Sequence, residues 1–356
     1  MPENPESPTS GRRHPMSGPR PFIIPIFLPH AGCPHQCAFC NQSAITGVKP
    51  SLFSPEKLCE RINEFLCLKG KQRRPIQIAF YGGNFLGQKE SYLSSLLKAA
   101  TKFVTAGKID SIRISTRPDT IINDRLDILE PYPVSTVELG VQSMDDHVLL
   151  LAKRGHTTLQ TEAAAALLKA RHYEIGLQMM VGLPGDDETT SLNTARRIAD
   201  LAPNFVRIYP TVVVRGSLLA QWYAAGKYMP LTLDACVTQV KKLYLLFKER
   251  KIPVIRMGLQ ASEGFENDGI ILAGPFHPAF GHMVHSEIFL DMAIDALKSE
   301  NAIKGSISIA VHPHSISKMR GLKNGNIQIL KQRFPIESIE IVADAAIPED
   351  QLSVHS

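Results

Sequence analysis

No run of apolar residues in this 356-residue chain reaches the roughly 20 needed to cross a bilayer, which sets aside a helical membrane protein. The opening stretch MPENPESPTSGRRHPMSGPR lacks the apolar core of a secretory signal, and its Pro, Ser and Gly content predicts a disordered tail over residues 1–20. Cysteine is scarce, six in all, with no paired framework; this fits a reducing compartment, and a cytoplasmic location is expected. No large excess of one charge is present either: the net charge of +5 is too small to argue for nucleic-acid binding by composition. Two denser basic stretches, Lys69 to Arg74 and Lys318 to Arg333, read as solvated faces, with nucleic-acid contact as the alternative. With 44% hydrophobic and 21% charged residues, the chain can bury one large core, or one large domain with a smaller appendage.

Half of the few cysteines are concentrated in Cys33-Pro34-His35-Gln36-Cys37-Ala38-Phe39-Cys40, directly after the apolar run Phe22 to Leu28. Such short spacings on a loop let thiolates converge on one soft metal centre, as in iron–sulfur proteins. Three cysteines without a fourth leave one iron of a four-iron cluster open to a small molecule. Cys59 and Cys67, eight residues apart on an expected helix, read as ordinary buried thiols. A disulfide pair with a spare thiol, and a structural zinc completed by His30 or His35, are the competing readings.

The Cys-x3-Cys-x2-Cys spacing, with the aromatic Phe39 before the last cysteine, resembles the signature of the radical SAM superfamily. The resemblance implies a [4Fe–4S] cluster held by Cys33, Cys37 and Cys40, with S-adenosylmethionine chelating the open iron. It also implies an electron donor such as a flavodoxin or ferredoxin.

Downstream, Ser54-Pro55-Glu56 predicts a helix start, with the helix running to about Leu68. Ile76 to Phe80 reads as a strand ending in Tyr81-Gly82-Gly83-Asn84. Paired glycines there let the backbone approach a ligand, or simply make a tight turn. Beside the cysteine loop they look like the superfamily's Gly-Gly motif for the methionine amino group, and Asn84 stands where Glu, Thr or Ser is common.

Strands at 111–115, 136–142, 174–181 and 205–209 alternate with helical stretches, six strand–helix steps in all. Such alternation predicts an α/β fold with a parallel sheet and its site beyond the strand ends. Periodicity does not distinguish a doubly wound sheet from a barrel; the resemblance implies a partial (β/α)6 TIM-like barrel over residues 21–260. A helical substrate-side extension over 261–300 and a small α+β C-terminal appendage over 301–356 complete the expected organisation.

Gln142 at a strand end can hydrogen-bond a ribose, and Arg154 in Lys153-Arg154-Gly155-His156-Thr157 can pair with a carboxylate; a buried polar end and a surface arginine are the plain alternative. Spacing and wording here resemble oxygen-independent coproporphyrinogen oxidase and the Elongator catalytic subunit, and in the former the matching pair contacts S-adenosylmethionine. Gln178 falls where that family places a ribose-binding aspartate, and Ser115 where both families tend to have glutamate. Met179 and Met180 read as core.

Ser115 to Asp119 and Arg207 to Ser217 resemble the Elongator subunit specifically, which implies a tRNA substrate, with Arg207 and Tyr209 near the reacting hydrogen. Its acetyltransferase domain is not expected here. Rival readings are a small-molecule substrate such as a tetrapyrrole, or a non-catalytic iron–sulfur or RNA-binding protein. His277, His282 and His285 lack the partners of a second metal site. The tail is faintly similar to a KH module, but Gly321 and Gly325 stand one residue too far apart for its loop, and a plain α+β unit is expected.

Overall fold

The computed structural model describes residues 21–29, 31–42, 44, 53–68, 74–259, 269–299 and 305–355. The expected disordered tail, His30, the basic residues 69–73, and the expected boundaries near 260 and 300 lie outside the described residues.

Strands β1 (Phe22–Phe27), β2 (Ile76–Tyr81), β3 (Ser111–Thr116), β4 (Val134–Gln142), β5 (Glu174–Val181) and β6 (Phe205–Pro210) follow the expected order. Between them lie α1 (Pro55–Leu68), α2 (Glu90–Thr105), α3 (Asn123–Asp127), α4 (Asp146–Leu151), α5 (Thr158–Ala170) and α6 (Glu188–Asp200). Helix starts are fixed by short polar side chains. Ser54 Oγ accepts from the Lys57 N–H at 3.3 Å, Asp145 and Asp187 cap α4 and α6, and Thr157 with Gln160 forms a capping box on α5.

After β6 come β7 (Val213–Val214), α7 (Leu218–Ala224), α8 (Leu233–Glu249), β8 (Val254–Met257), β9 (Ile271–Ala273) and α9 (Phe280–Ser299). The sequence-derived six strands become seven, because β8 adds to β6 in parallel. All seven pair in parallel in the order β1-β2-β3-β4-β5-β6-β8, and β1 and β8 are left as edges, giving an open, curled half-barrel.

Two-residue alternation sorts the strands. Ile24, Ile78, Ile112, Ile114, Val137, Leu177 and Ile208 enter the main core. The opposite face carries Gln77, Arg113, Glu138, Gln178 and Arg207. The apolar face, packed on helices, holds the sheet; the polar face is available for chemistry.

The C-terminal unit consists of β10 (Gly305–Val311), α10 (Ile316–Arg320), α11 (Gly325–Arg333), β11 (Ile336–Ala343) and β12 (Leu352–His355). Its sheet runs β11-β10-β12, with β11 parallel and β12 antiparallel to β10. Helix α9 serves both units: Phe280, Val284 and Ile288 pack into the main core, while Phe289, Ala293 and Leu297 pack with Ile309 and Leu330 of the appendage. Strand β12 was not foreseen. In the turn before α11, Lys323 and Asn324 take φ of 52° and 61°, so asparagine, tolerant of this region, occupies the third position after Gly321.

The turn after β5 is tied by one carboxylate. Asp186 Oδ2 accepts from the Gly182 N–H and from Ser191 Oγ, both at 2.8 Å, and burial pushes its pKa up from 3.8 to about 6. A raised acid stabilises the fold fully below pH ~4 and loses that contribution as pH rises through about 6. The shift corresponds to about 3 kcal/mol. Asp186→Asn is therefore expected to melt above the wild type at pH 8, with the difference closing by pH 4. Thermal unfolding of the two proteins across that range checks this.

Candidate functional site

Loops leaving the C-terminal ends of the parallel strands enclose a cavity of about 470 Å³. Its lining draws on β1 at one edge of the sheet and Arg256 of β8 at the other, so it spans the half-barrel. Nearly all the residues singled out from sequence line it: Cys33, Cys37, Phe39, Cys40, Gly82, Gly83, Ser115, Gln142, Arg154, Gln178, Arg207 and Tyr209.

The three cysteines are free thiols, not a disulfide with a spare. Their loop is pinned from outside: the Ala38 N–H donates to Ala152 O at 2.9 Å, and Ala38 O accepts from the Leu219 N–H at 2.7 Å. Burial first, then the neighbouring Cys37 and Cys33, pushes the Cys40 thiol up to about 12; Cys33 is raised by burial and by Cys37, against Arg154 and Arg117. The bare Cys33 and Cys40 thiols thus hold their protons, which a bound metal would draw off. Among the described residues, one trio of His, Cys, Asp or Glu brings its ligand atoms within 4.8 Å of one another: His312, His314 and Glu349, in the C-terminal unit.

Asn84 is placed differently from the expectation. It is fully buried and outside the cavity lining, and both ends of its side-chain amide are hydrogen-bonded within the protein. Its Oδ1 accepts from Thr116 Oγ1 (2.6 Å), Thr120 Oγ1 (3.0 Å) and the Arg117 N–H (3.2 Å), and its Nδ2 donates to Gly32 O (3.1 Å). It braces the cysteine loop against the end of β3 and does not face the cavity. Gly83, with φ 58°, is required by close approach: a Cβ there would lie 2.3 Å from Ala31 O. Its N–H already donates to Gln42 Oε1 at 2.7 Å, so Gln42 supports this turn, a role the sequence gave no reason to assign.

Arg154 reaches back beneath the cysteine loop. Its Nη1 donates to Cys37 Sγ at 3.3 Å and its Nη2 to Gly140 O at 2.5 Å, while Nε is buried without a partner. The fully buried Arg117 holds the Arg154 carbonyl at 2.6 Å and is itself paired with Asp119. Gln142 carries φ 71° at a bulge between β4 and β5, an unfavourable backbone for a non-glycine residue that aims its side chain at the cavity. There Gln178 Nε2 donates to Gln142 Oε1 at 3.3 Å, so the two amides form one unit.

Beneath the cavity lies a charged layer of which the sequence reading singled out Arg207 but not Glu138, Arg113 or Gln77. Glu138 Oε1 accepts from Arg113 Nη1 at 2.9 Å and from Arg207 Nη2 at 3.0 Å, and its Oε2 lies 2.7 Å from Arg207 Nε in an ion pair. Arg113 also donates to Gln77 Oε1 at 2.8 Å, and Arg207 Nη2 to Tyr81 Oη at 3.2 Å. Burial opposes the Arg207 charge, but Glu138, Tyr209 and Tyr81 outweigh it and hold the guanidinium ionised. Tyr81 is pushed up to about 12, first by burial and then by Glu138. A detectable signal was present: single charges at the centres of short apolar strands, as in Ser111-Ile112-Arg113-Ile114 and Val137-Glu138-Leu139.

Other expectations resolve simply. Met179 and Met180 are buried, as read. Cys67 is exposed, because α1 turns Leu58 and Ile62 inward and leaves its last turn in solvent; Cys59 is half-buried. His277 accepts from the Ala279 N–H, His282 pairs with Ser286 and His285 packs edge-on to Tyr244, so the three serve separate contacts. No helix among the described residues is long and apolar enough to cross a membrane.

Comparison with known proteins follows the same outline. Residues 27–198 match the radical SAM superfamily and residues 203–289 the radical SAM C-terminal domain. The chain is 26% identical over 246 residues to a tRNA uridine(34) acetyltransferase of Dehalococcoides mccartyi, covering 59% of this chain and 54% of that protein. It is 26% identical over 268 residues to Elongator complex protein 3 of Schizosaccharomyces pombe, covering 63% and 49%. Among solved structures, archaeal Methanocaldococcus infernus Elp3 with an N-terminal deletion superposes with a TM-score of 0.58 at 20% identity, over 75% of this chain and 62% of that one. The alignments thus span about half the length of these two curated relatives.

Proposed function

We propose that this chain, which belongs to the radical SAM superfamily, cleaves S-adenosylmethionine reductively and uses the resulting radical to take a hydrogen from tRNA. One observation carries the reading: three free thiols share a single cavity with an arginine, a Gly-Gly turn and a paired-glutamine ledge.

Cys33, Cys37 and Cys40 would hold a [4Fe–4S] cluster, which when bound supplies the electron that breaks the sulfonium to methionine and a 5′-deoxyadenosyl radical. Arg154 places a fixed positive charge against Cys37 and offers its buried Nε toward a carboxylate. Gly82 and Gly83 line the cavity beside the cysteine loop, where the methionine end would lie, and the joined amides of Gln142 and Gln178, with Ser115, face the ribose. Phe39, packed like Tyr209 against the cluster of Val148, Ala152, Met180 and Leu183, screens water from the loop. Arg207, held by Glu138, and Tyr209, whose hydroxyl accepts from Arg207 Nη1 at 3.4 Å, present cation and hydroxyl to the substrate side. A flavodoxin or ferredoxin is the expected source of electrons.

The tRNA assignment draws on the names of the two curated relatives. It is tested with tRNA transcribed from deuterated nucleotides. Reconstituted protein should release deuterated 5′-deoxyadenosine, and addition of tRNA should raise its yield. Product that stays unlabelled and indifferent to tRNA would move the substrate to a small molecule.

A further inference from the structure

The cavity holds more cationic side chains than its own anions can match. Its arginines are Arg154, Arg207 and Arg256, and its carboxylate is Glu138. Glu138 is committed to Arg207 and Arg113, while Arg154, hydrogen-bonded to Cys37 and Gly140 O, has its remaining Nε assigned above to the cofactor carboxylate. Arg256 remains. It stands beside Arg207 in register on β8, so both side chains leave the same face of the sheet. Its Nε donates to Gly258 O at 3.2 Å, and no ion pair joins it to a carboxylate among the described residues. It is half-buried at the edge opposite the strand that leads into the cysteine loop.

With no carboxylate partner among the described residues, a guanidinium at the rim of a partly desolvated cavity is stabilised when an anion arrives. The one bond to Gly258 O anchors the guanidinium and leaves both Nη groups for a planar oxyanion. The uncharged Ser115 and Gln178 elsewhere in the lining supply no competing negative charge.

We infer that Arg256 is a specificity-determining residue that binds a backbone phosphate flanking the nucleoside presented to the cavity. This deepens the proposed tRNA reading and rests on it. A single-stranded loop meets the requirement, since its bases can be splayed into a pocket while the backbone stays at the rim.

The experiment is binding, independent of turnover. A fluorescein-labelled RNA stem-loop with a uridine-rich loop is titrated into wild type, Arg256→Gln and Arg256→Lys over a range of salt concentrations, with melting temperatures confirming that each protein is folded. Loss of one phosphate contact should weaken Kd about 10-fold in Arg256→Gln and reduce the slope of log K against log salt by about one. Arg256→Lys keeps the charge and should keep the slope, losing only about threefold in affinity with the fork. Equal affinity and slope in wild type and Arg256→Gln would overturn the inference while leaving S-adenosylmethionine cleavage untouched. If the wild type binds no RNA, the inference and the tRNA assignment both fall.

Discussion

Replacing Glu138 by alanine is expected to lower the unfolding free energy by about 3–5 kcal/mol, because it leaves two buried cations without their shared anion. The Glu138 and Arg113 side chains are each 6% exposed and that of Arg207 is 14% exposed, so water cannot take over the lost contacts. Arg113 also stacks over Phe205, with its Cζ 4.9 Å from the ring centroid, which fixes it in place. Gly176 opposite on β5 contributes by absence, since a Cβ there would strike the Phe205 ring at 2.3 Å and approach Glu138 Cγ at 3.1 Å. The penalty belongs to the unpaired charge more than to the bond. The double variant Glu138→Ala with Arg207→Met should therefore lose clearly less than the sum of the two single changes. Denaturant titration measures all three. A loss of under about 1 kcal/mol for Glu138→Ala would mean that this layer is solvated and does not organise the cavity floor.

Cys37→Ala carries the other large expected effect. Cys37 is 5% exposed and accepts from Arg154, so of the three cysteines it is the one tied to both the loop and the returning arginine. Removing its sulfur leaves two thiols and a guanidinium facing the space where iron would sit. Even changes to residues that only support metal ligands cost about 10–100-fold, so loss of a ligand should cut bound iron and 5′-deoxyadenosine by at least about 100-fold. The neighbours Ala38 and Ala152 hold the loop through backbone bonds that alanine at 37 leaves intact, so the circular dichroism should be unchanged.

The parallel sheet was legible because apolar alternation and capping residues agree locally with it: Ser54, Asp145, Thr157 and Asp187 each start a helix between two strands. The cavity was legible because its chemistry is concentrated in short motifs. What escaped depends on tertiary partners. Asn84 looks like a ligand contact in a string of letters, yet its amide is taken up by Thr116, Thr120 and Gly32, which no local spacing reveals. Gln42 and Arg117 act through residues 37 or more positions away, at Gly83 and Arg154. Strand β8 is four residues long and half-buried, too weak a period to stand out. Strand β12 pairs only through the backbone of β10.

The measurement that bears most directly on the central claim is anaerobic. The protein is reconstituted with iron and sulfide, reduced with dithionite, given S-adenosylmethionine and assayed for 5′-deoxyadenosine, with Cys37→Ala alongside. Cluster absorbance and product in the wild type, both lost in the variant, is the predicted result. Stoichiometric zinc in place of iron, with no cluster absorbance and no 5′-deoxyadenosine, would contradict the account.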